Sequence, residues 1–500
     1  MLKNIKSKFI LNFVFGHLKN KIKLKIVKHN KILLFKLNIG FEDFQKYQLI
    51  KELNWKYNTN IKDINAPKLE FKYKLKKYRE NKKEVLEYIE KIGFRDLKEL
   101  YIFYGNISDI TKLENVRFNK LEILNLKNNK IENIDVFEKV NFPELKELNL
   151  KNNEIKDIKV LEKAKIKKLL CLNLSRNKIE NIDILEKVYF KELKKLSLKL
   201  NRIADIKVLE KVKFEKMEML NLCYNRIENI DVLEKVNFKG LKKLNLGGNK
   251  ISNIKVLENV NFDNLEILNL IYNKIENINV LEDVNFMKLK ELYLEGVRNP
   301  YINFSFLSRV KFKKLEVLDL DANQLSDISF LSQLNFKELK ILYLFSNKIS
   351  DISILEFVNF SKLEELYLGS NYISDISVFE KVNFRNLKYL GLHNNEIEDI
   401  SVLEKANFEK LEKLYLCENL ISDIEILATT DFKNLKVLNL NGNRIYDIDI
   451  LEIVNFKNLE KLGLIHNKIL KNYDHKILED LLYKIEHSNP RLTINLYQVK

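Results

Sequence analysis

The chain has 500 residues and a net charge of +17 at pH 7, and it contains only 12 glycines and 4 prolines. No Gly/Ser-rich or Pro-rich run is present, which argues against flexible linkers between independent domains. Residues 1–90 hold 22 Lys/Arg against 9 Asp/Glu, whereas the other 410 residues hold 65 against 61. The basic character therefore lies at the N-terminus, and the near-neutral remainder argues against nucleic-acid binding along the chain.

Cysteine usage and hydropathy indicate the compartment. Cys171, Cys223 and Cys417 are the only cysteines, and an odd, widely spaced set is typical of a reducing environment. No stretch approaches the roughly 20 apolar residues of a membrane span. Phe9–Leu18 resembles a short signal core, but no small-residue cleavage site follows it. The sequence therefore predicts an intracellular, cytoplasmic protein.

Residues 1–40 contain no acidic residue, and Lys8–Leu18 and Leu24–Leu37 carry apolar residues at roughly helical spacing. The first interpretation is a helical cap on the array that follows. A second is a basic membrane-surface or targeting helix, which applies to residues 1–40 only. A third is that FILNFVFGHL and IVKHNKILLFKL resemble an F-box, a helical adaptor motif, although its Leu-Pro pair is absent.

The next segment leads into the array. Residues 41–78 are mixed in character and receive no assignment. Arg79–Ile92 is predicted to be a helix, with its apolar side formed by Val85, Leu86, Tyr88 and Ile89. Residues 1–93 are therefore interpreted as a basic, largely helical N-terminal segment.

A repeat dominates the rest of the chain. In Leu241–Phe262, LKKLNLGGNKISNIKVLENVNF, leucines alternate with polar residues at a period of two, which predicts a short strand with one buried face. The pattern returns every 24 residues from Leu121 to Leu459, with one interruption. One short strand cannot bury its apolar face alone, but stacked copies can cover one another. The repeats therefore predict a solenoid.

The pattern L-x-x-L-x-L-x-x-N-x-I resembles the leucine-rich-repeat family. Its tail, x-D/N-I-x-V-L-E, is most similar to internalin-type repeats and to those of the leucine-rich regulatory subunit of a type-one protein phosphatase. This resemblance implies an α/β solenoid: a horseshoe of about 16 repeats of 24 residues with a parallel concave sheet. Because terminal repeats need a cover, the segments outside the array are predicted to cap it, a helical one at the N-terminus and a helix and strand at the C-terminus.

Two columns of residues recur in the array. The resemblance implies that an asparagine after each strand forms a buried ladder with backbone groups, because an amide both donates and accepts. These asparagines are Asn129, Asn153, Asn177, Asn201, Asn225, Asn249, Asn273, Asn323, Asn347, Asn371, Asn395, Asn419, Asn443 and Asn467. The second column predicts an aromatic spine that Ile166 interrupts once. It comprises Phe118, Phe142, Phe190, Phe214, Phe238, Phe262, Phe286, Phe312, Phe336, Phe360, Phe384, Phe408, Phe432 and Phe456.

The array is not uniform. KIENID or a close variant recurs 48 residues apart, at 130, 178, 226 and 274, which indicates growth by copying pairs of repeats. Repeat nine holds two extra residues between Leu294 and Leu307, and Asn299 is expected to fill its ladder position. The array is predicted to span 94–470 and a C-terminal cap 471–500, with a helix at Asp474–His487 and a strand at Leu492–Tyr497.

The candidate binding residues lie on the sheet face. Counting from the first leucine of each repeat, the third, fifth, seventh and eighth positions point away from the core. The fifth position is mostly asparagine up to repeat eight and becomes tyrosine-rich later, beside an acidic spot at Glu291, Glu295, Asp319 and Asp321. Exposed tyrosines on neighbouring strands suit protein recognition. The predicted partner-binding residues are Tyr293, Asp319, Tyr343, Phe345, Tyr367, Tyr389, His393 and Tyr415.

Three residues of the array suggest a catalytic alternative to binding. His393, Cys417 and Asn441 share the seventh position of successive repeats, and Cys, His and Asn can form a nucleophilic set. No oxyanion-hole loop accompanies them, and no zinc spacing, phosphate loop or dinucleotide fingerprint is present. We therefore predict no catalysis, metal, cofactor or small-molecule substrate.

The leading prediction is a scaffold that binds a protein or peptide on its concave face. The F-box-like segment suggests the alternative of a substrate-recognition subunit of a ubiquitin ligase. The resemblance of the repeats suggests a second alternative, a phosphatase regulatory subunit. Both alternatives stay open from the sequence.

Overall fold

The computed structural model describes residues 46, 49–50, 68–72, 84–94, 96–297, 304–430, 432–454, 458–489 and 491–496. The three interpretations of residues 1–40 lie outside this part of the chain. The chain separates into two compact units, an N-terminal unit (Met1–Arg226 and Val236–Phe238) and a C-terminal unit (Ile227–Lys235 and Lys239–Lys500). The boundaries predicted at 93/94 and 470/471 stay predictions.

Short parallel strands are the main regular element of both units. In the N-terminal unit they are β1 (Lys68–Lys72), β2 (Glu99–Phe103), β3 (Ile123–Asn125), β4 (Glu147–Asn149), β5 (Cys171–Asn173), β6 (Lys195–Ser197) and β7 (Met219–Asn221). In the C-terminal unit they are β8 (Lys243–Asn245), β9 (Ile267–Asn269), β10 (Glu291–Tyr293), β11 (Val317–Asp319), β12 (Ile341–Tyr343), β13 (Glu365–Tyr367), β14 (Tyr389–Gly391), β15 (Lys413–Tyr415), β16 (Val437–Asn439), β17 (Lys461–Gly463) and β18 (Thr493–Asn495).

Helices are few and short in the described part of the chain. The α-helices are α1 (Glu84–Ile92), α2 (Val136–Lys139) and α3 (His475–Ser488), and none of the described helices is long and apolar enough to cross a bilayer. The remaining repeats return through 3-10 helices. These are Thr111–Asn115, Lys159–Glu162, Asp183–Glu186, Lys207–Glu210, Asp231–Glu234, Lys255–Glu258, Ile278–Glu282, Phe304–Ser308, Ser329–Gln333, Ser353–Phe357, Ser377–Glu380, Ser401–Glu404, Glu425–Ala428, Asp449–Glu452 and Ile469–Lys471.

Consecutive strands pair in register within each unit. Leu100, Leu124 and Leu148 are aligned in the N-terminal unit, and Leu244 and Leu268 in the C-terminal unit. All five leucines are fully buried, whereas the residues on either side of Leu268 are half-buried. The period of two in the sequence therefore becomes one buried and one open face, and the predicted leucine-rich-repeat solenoid is confirmed.

The asparagine ladder is confirmed and follows one geometry. The Asn153 side-chain nitrogen donates to the carbonyls of Leu150 (2.9 Å) and Leu126 (3.1 Å), and its oxygen accepts from the Ile131 N–H at 3.1 Å. The same three bonds recur along the array, because every strand ends with the same unpaired backbone groups. In repeat one Gly105 replaces the asparagine, and its own N–H donates to Asn129 at 2.9 Å. Asn299 lies outside the described residues.

The phenylalanine column is also confirmed. Thirteen of its fourteen members are described, and each is at most 7% exposed. Phe118 and Phe142 have ring centroids 5.9 Å apart, and Phe312 and Phe336 are stacked at 6.5 Å. Ile166 is buried where the column is interrupted. These phenylalanines are thus part of the buried core of the array.

In most repeats a residue with left-handed backbone conformation lies three residues after the strand. The eighth position has φ near +55° in residues as different as Leu200, Tyr224 and Ser346, and glycine takes it as Gly248 and Gly442. A non-glycine side chain in this region costs about 1–2 kcal/mol. The following asparagine holds the turn in place through three hydrogen bonds, so the repeat tolerates the strain.

An aspartate or asparagine in the repeat tail accepts a hydrogen bond at the start of most 3-10 helices. The Asp157 side chain accepts from the Lys159 N–H at 2.8 Å, and Asp375 accepts from the Ser377 N–H at 2.8 Å. A short side-chain acceptor at this point satisfies the first free N–H of the turn. The isoleucine between them, such as Ile158, is buried.

Lysine and glutamate alternate at the second position of the repeats, with Leu170 as an exception, in step with the 48-residue rhythm. Glu122 pairs with Lys146 at 2.6 Å and with Lys98 at 3.9 Å, and Glu316 pairs with Lys340 at 2.6 Å. Each exposed pair contributes about 0–1 kcal/mol. The pairs nonetheless place like charges two repeats apart, which gives a physical reason for a two-repeat period.

Both ends of the described chain carry capping elements. The helix predicted at Arg79–Ile92 is observed as α1, which buries Val85 and Ile89. Strand β1, in a segment that received no assignment, pairs with β2. At the C-terminus, the Asp474 side chain caps α3 by accepting from the Lys476 N–H at 3.0 Å, and β18 pairs with β17. The predicted helix is observed one residue later, at His475–Ser488, and the predicted strand is observed over the shorter range Thr493–Asn495.

Candidate partner-binding face

We use the term strand face for the open sheet surface of repeats nine to fourteen in the C-terminal unit. It consists of the side chains at the third, fifth and seventh positions of these six repeats, which lie on strands β10 to β15 or directly after them. The fifth positions are aligned by the strand register, in the order Tyr293, Asp319, Tyr343, Tyr367, Gly391 and Tyr415. The predicted site residues therefore lie on one continuous surface.

Four tyrosines form a stack on this face. The ring centroids of Tyr343 and Tyr367 are 4.5 Å apart with planes at 23°, as the strand spacing predicted. Tyr389 continues the stack, at 4.4 Å from Tyr367 and 5.3 Å from Tyr415. A tyrosine from the third position can do this because Gly391 leaves the fifth position empty, and a Cβ there would lie 3.0 Å from the Tyr389 ring.

A second aromatic contact runs beside the stack. The His393 ring is stacked with Phe345 at 5.5 Å, although their repeats are not adjacent. The intervening residue is Gly369, and a side chain there would overlap the His393 ring. His393 Nδ1 is buried without a hydrogen-bond partner among the described residues, and burial lowers the pKa of its imidazole. The ring is therefore neutral at pH 7 and contributes flat apolar surface.

The tyrosine hydroxyls interact with carboxylates on the same strand. The Tyr367 hydroxyl donates to Glu365 at 2.6 Å, and the Tyr293 hydroxyl donates to Glu291 at 2.9 Å. Burial, followed by these carboxylates, raises the pKa of both phenols, and burial raises the pKa of Tyr389 to about 12. The phenols consequently stay protonated and can donate hydrogen bonds at the edge of the stack.

The acidic spot is built into the same surface. Asp319 accepts from the Asp321 N–H at 3.0 Å, and Asp321 accepts from the Phe345 N–H at 2.6 Å. Burial raises the pKa of Asp319 to about 6. Burial, and then the neighbouring Asp319 carboxylate, raises the pKa of Asp321 to about 8. Glu295 adds to both shifts, so three acidic side chains share one partly desolvated region.

The asparagines of the fifth position have a structural task that sequence reasoning missed. The Asn149 side chain accepts from the N–H two residues later, at Lys151 (3.1 Å), and Asn439 does the same for Asn441. Tyrosine has no acceptor at that point of its side chain. In repeat eleven the seventh-position N–H, at Phe345, donates instead to Asp321 of the preceding repeat. Tyrosine at the fifth position therefore removes a local hydrogen bond rather than serving the fold.

The His, Cys and Asn at the seventh position do not form a nucleophilic set. Burial raises the pKa of the Cys417 thiol, which is opposite to the shift of an activated thiolate. The Asn441 oxygen accepts from the Ile465 N–H at 2.8 Å. No group of three metal-binding side chains occurs in the described part of the chain. The raised pKa of Cys417 and the hydrogen bond of Asn441 therefore argue against a nucleophilic role for these three side chains.

Comparison with known proteins identifies the repeat. A family model described as leucine rich repeats in two copies matches 119–163, 215–259, 337–381 and 385–429, and a second leucine-rich-repeat model matches 409–469. The chain is a leucine-rich-repeat protein. No curated protein matches its sequence.

Several solved structures are similar to parts of this leucine-rich-repeat protein. An internalin from Listeria monocytogenes is 28% identical, with 67% of this chain and 84% of the internalin covered and a TM-score of 0.47. A leucine-rich-repeat protein from Leptospira interrogans is 22% identical, with coverage of 81% and 92% and a TM-score of 0.54. The Arabidopsis receptor kinase HAESA, in complex with a peptide hormone and a co-receptor, is 18% identical, with coverage of 76% and 63% and a TM-score of 0.40.

Proposed function

We propose that this leucine-rich-repeat protein is a non-catalytic, cytoplasmic scaffold that binds a protein or peptide on its strand face. The observation that carries the proposal is the four-tyrosine stack of Tyr343, Tyr367, Tyr389 and Tyr415. Each ring is half-buried, so the stack presents large, rigid edges and faces to solvent. Such surfaces bind with little loss of side-chain entropy.

Two features of the strand face support this placement. Tyrosine replaces the asparagine that satisfies a backbone N–H elsewhere in the array, which is a change that the fold does not favour. Two glycines, Gly369 and Gly391, allow His393 and Tyr389 to lie across the face. Leucine-rich-repeat proteins with solved complexes include a receptor kinase that holds a peptide hormone. The three free cysteines support the proposed reducing compartment.

The ubiquitin-ligase and phosphatase alternatives gain no support from the described residues. The F-box-like segment lies outside them, and the phosphatase alternative rests on repeat resemblance alone. We therefore propose the scaffold function without either assignment.

Removal of the central rings tests the proposal. Partners captured from native lysate are identified, and their affinities for wild type and for Tyr343→Ala/Tyr367→Ala are compared. Loss of two central aromatic contacts is expected to weaken binding by at least about thirtyfold, the equivalent of 2 kcal/mol. Tyr372→Ala/Tyr446→Ala is the matched control, because both tyrosines are 54% exposed and lie away from the strand face. Equal affinity of the first variant and wild type would place binding elsewhere.

A further inference from the structure

The strand face carries acidic side chains that form no ion pair within the described part of the chain. From repeat nine to repeat thirteen its third, fifth and seventh positions include five acidic residues and no Lys or Arg. These residues are Glu291, Glu295, Asp319, Asp321 and Glu365. None of the ion pairs in the described part of the chain involves any of the five. Elsewhere in the array, acidic side chains repeatedly pair with lysines one repeat away, as Glu364 does with Lys388 at 2.7 Å.

This charge is a local feature rather than a consequence of composition. In repeats two to five, the corresponding face is basic and amide-rich. It includes Lys127, Lys151, Lys195 and Lys199. At the same three positions, these four repeats hold only one acidic residue, Glu147. Lysine is therefore frequent elsewhere in the array but does not occur at the third, fifth or seventh position of repeats nine to thirteen.

The geometry places a carboxylate between aromatic rings. Asp319 is paired in register with Tyr293 on one side and with Tyr343 on the other. It is 8% exposed, and one oxygen is fixed by the Asp321 N–H. Asp321 is fixed in turn by the Phe345 N–H. The two carboxylates are thus held in place by backbone groups, beside ring faces that attract cations.

We infer that the strand face binds an extended segment of a partner protein that carries an arginine or lysine at the end lying over repeats nine and ten. This inference rests on the proposed function and specifies the chemistry of the partner. A planar guanidinium suits the site best, because it can donate to Asp319 and Asp321, whose deprotonation its positive charge favours, and can also stack on Tyr343. The rest of the segment carries apolar or flat side chains, which pack along the tyrosine stack.

The length of the segment follows from the strand spacing. Asp319 and Tyr415 lie on β11 and β15, four strand spacings apart, or about 19 Å. An extended chain advances about 3.3 Å per residue, so about six residues cover this distance. The part of the partner that lies along the stack is therefore about six residues long, with the cationic residue at one end.

An immobilised hexapeptide library tests the inference with the full chain. One terminal position is fixed as arginine, citrulline or glutamate, and the others are drawn from alanine, leucine, proline and tyrosine. Citrulline has the shape of arginine without its charge. We expect the arginine set to retain at least tenfold more protein than the glutamate or citrulline sets, and we expect solution anisotropy of selected peptides to give the same order.

Two variants and a control separate this inference from the proposed function. Asp319→Asn/Asp321→Asn keeps the side-chain acceptors and is expected to abolish the arginine preference while binding to the citrulline set persists. Asp375→Asn/Asp399→Asn removes the same charge from the 3-10 turns, where Asn253 already serves as acceptor, and is expected to keep the preference.

The outcomes that overturn the ideas are distinct. Peptides that depend on Tyr343 and Tyr367 but show no arginine preference would refute the cationic partner and leave the proposed function intact. Arginine peptides bound equally by the Tyr343→Ala/Tyr367→Ala variant would refute both. If no arginine peptide binds at a concentration of about 1 mM, the cationic partner is also refuted.

Discussion

The asparagine ladder permits one substitution to be worked through atom by atom. Asn395 donates to the carbonyls of Leu368 and Leu392, both at 3.0 Å, and accepts from the Ile373 N–H at 3.0 Å. Asn395→Ala removes these three bonds and a longer one, at 3.3 Å, to the His393 carbonyl. The consequences for the three backbone groups differ.

Each carbonyl of the ladder has a second donor. Leu368 O also accepts from Asn371 and Leu392 O from Asn419, both at 3.0 Å, so neither is left unpaired by the substitution. These two lost bonds cost about 0.5–1.5 kcal/mol each. The Ile373 N–H loses its acceptor, and an unsatisfied buried donor costs about 1–3 kcal/mol. We therefore expect Asn395→Ala to lower the free energy of unfolding by about 3 kcal/mol.

Asn395→Asp distinguishes the donor role from the acceptor role. An aspartate keeps the acceptor for Ile373 but turns a buried carboxylate toward two carbonyl oxygens. Burial raises the pKa of such a group, because the charged form is poorly solvated. The aspartate variant should consequently be less stable than the alanine variant at pH 7 and more stable than it at pH 4, where the protonated carboxyl can donate.

Urea unfolding followed by far-ultraviolet circular dichroism measures the global effect, and hydrogen exchange at the Ile373 amide measures the local one. The control is Asn407→Ala, at an exposed asparagine of the neighbouring return segment. The reasoning is refuted if Asn395→Ala and Asn407→Ala lower the free energy of unfolding equally, or if exchange at Ile373 is unchanged.

Three further predictions follow from the same repeat. Phe214→Ala removes a ring that is 1% exposed and should lower the urea-derived stability by about 3–5 kcal/mol, whereas Phe357→Ala, at a ring that is 66% exposed, should have little effect. Ser346→Gly relieves a left-handed residue with φ of 56° and should raise the melting temperature, with a gain of about 1 kcal/mol. Because burial raises the folded-state pKa of Asp321 to about 8, its contribution favours folding at low pH and is lost as pH rises from about 4 to 8. Asp321→Asn should therefore increase stability at pH 9 and leave it unchanged near pH 4, as measured by unfolding at both values.

The repeat and its buried columns could be predicted from the sequence because each is written many times at constant spacing. Leucine, asparagine and phenylalanine recur at fixed offsets, and a solenoid is the architecture that buries all three together. Strand β1 had no such signal, since no complete repeat surrounds KLEFK. The left-handed eighth position was also hidden, because residues such as Leu200 and Tyr224 carry no turn signature.

The candidate site was predicted only in part. The alignment of Tyr343 with Tyr367 follows from strand spacing alone. The position of the Tyr389 ring does not follow from strand spacing, because it depends on the space that Gly391 leaves two residues later on the same strand. The contact of His393 with Phe345 depends in the same way on Gly369, one repeat away. Contacts that pass over a missing side chain require coordinates, even in a regular array.

The fifth position shows how fold and function can be separated within one column. In the N-terminal unit its asparagines accept a backbone N–H, so their recurrence follows from the needs of the turn. Asp319 keeps that bond while adding a charge, and the tyrosines give the bond up for an aromatic face. A residue that meets the local requirement is explained by the fold, whereas one that abandons it must be maintained by something else. On this protein four departures from the local rule, at Tyr343, Tyr367, Gly391 and Tyr415, lie on consecutive strands, and that contiguity is the physical ground for proposing a partner there.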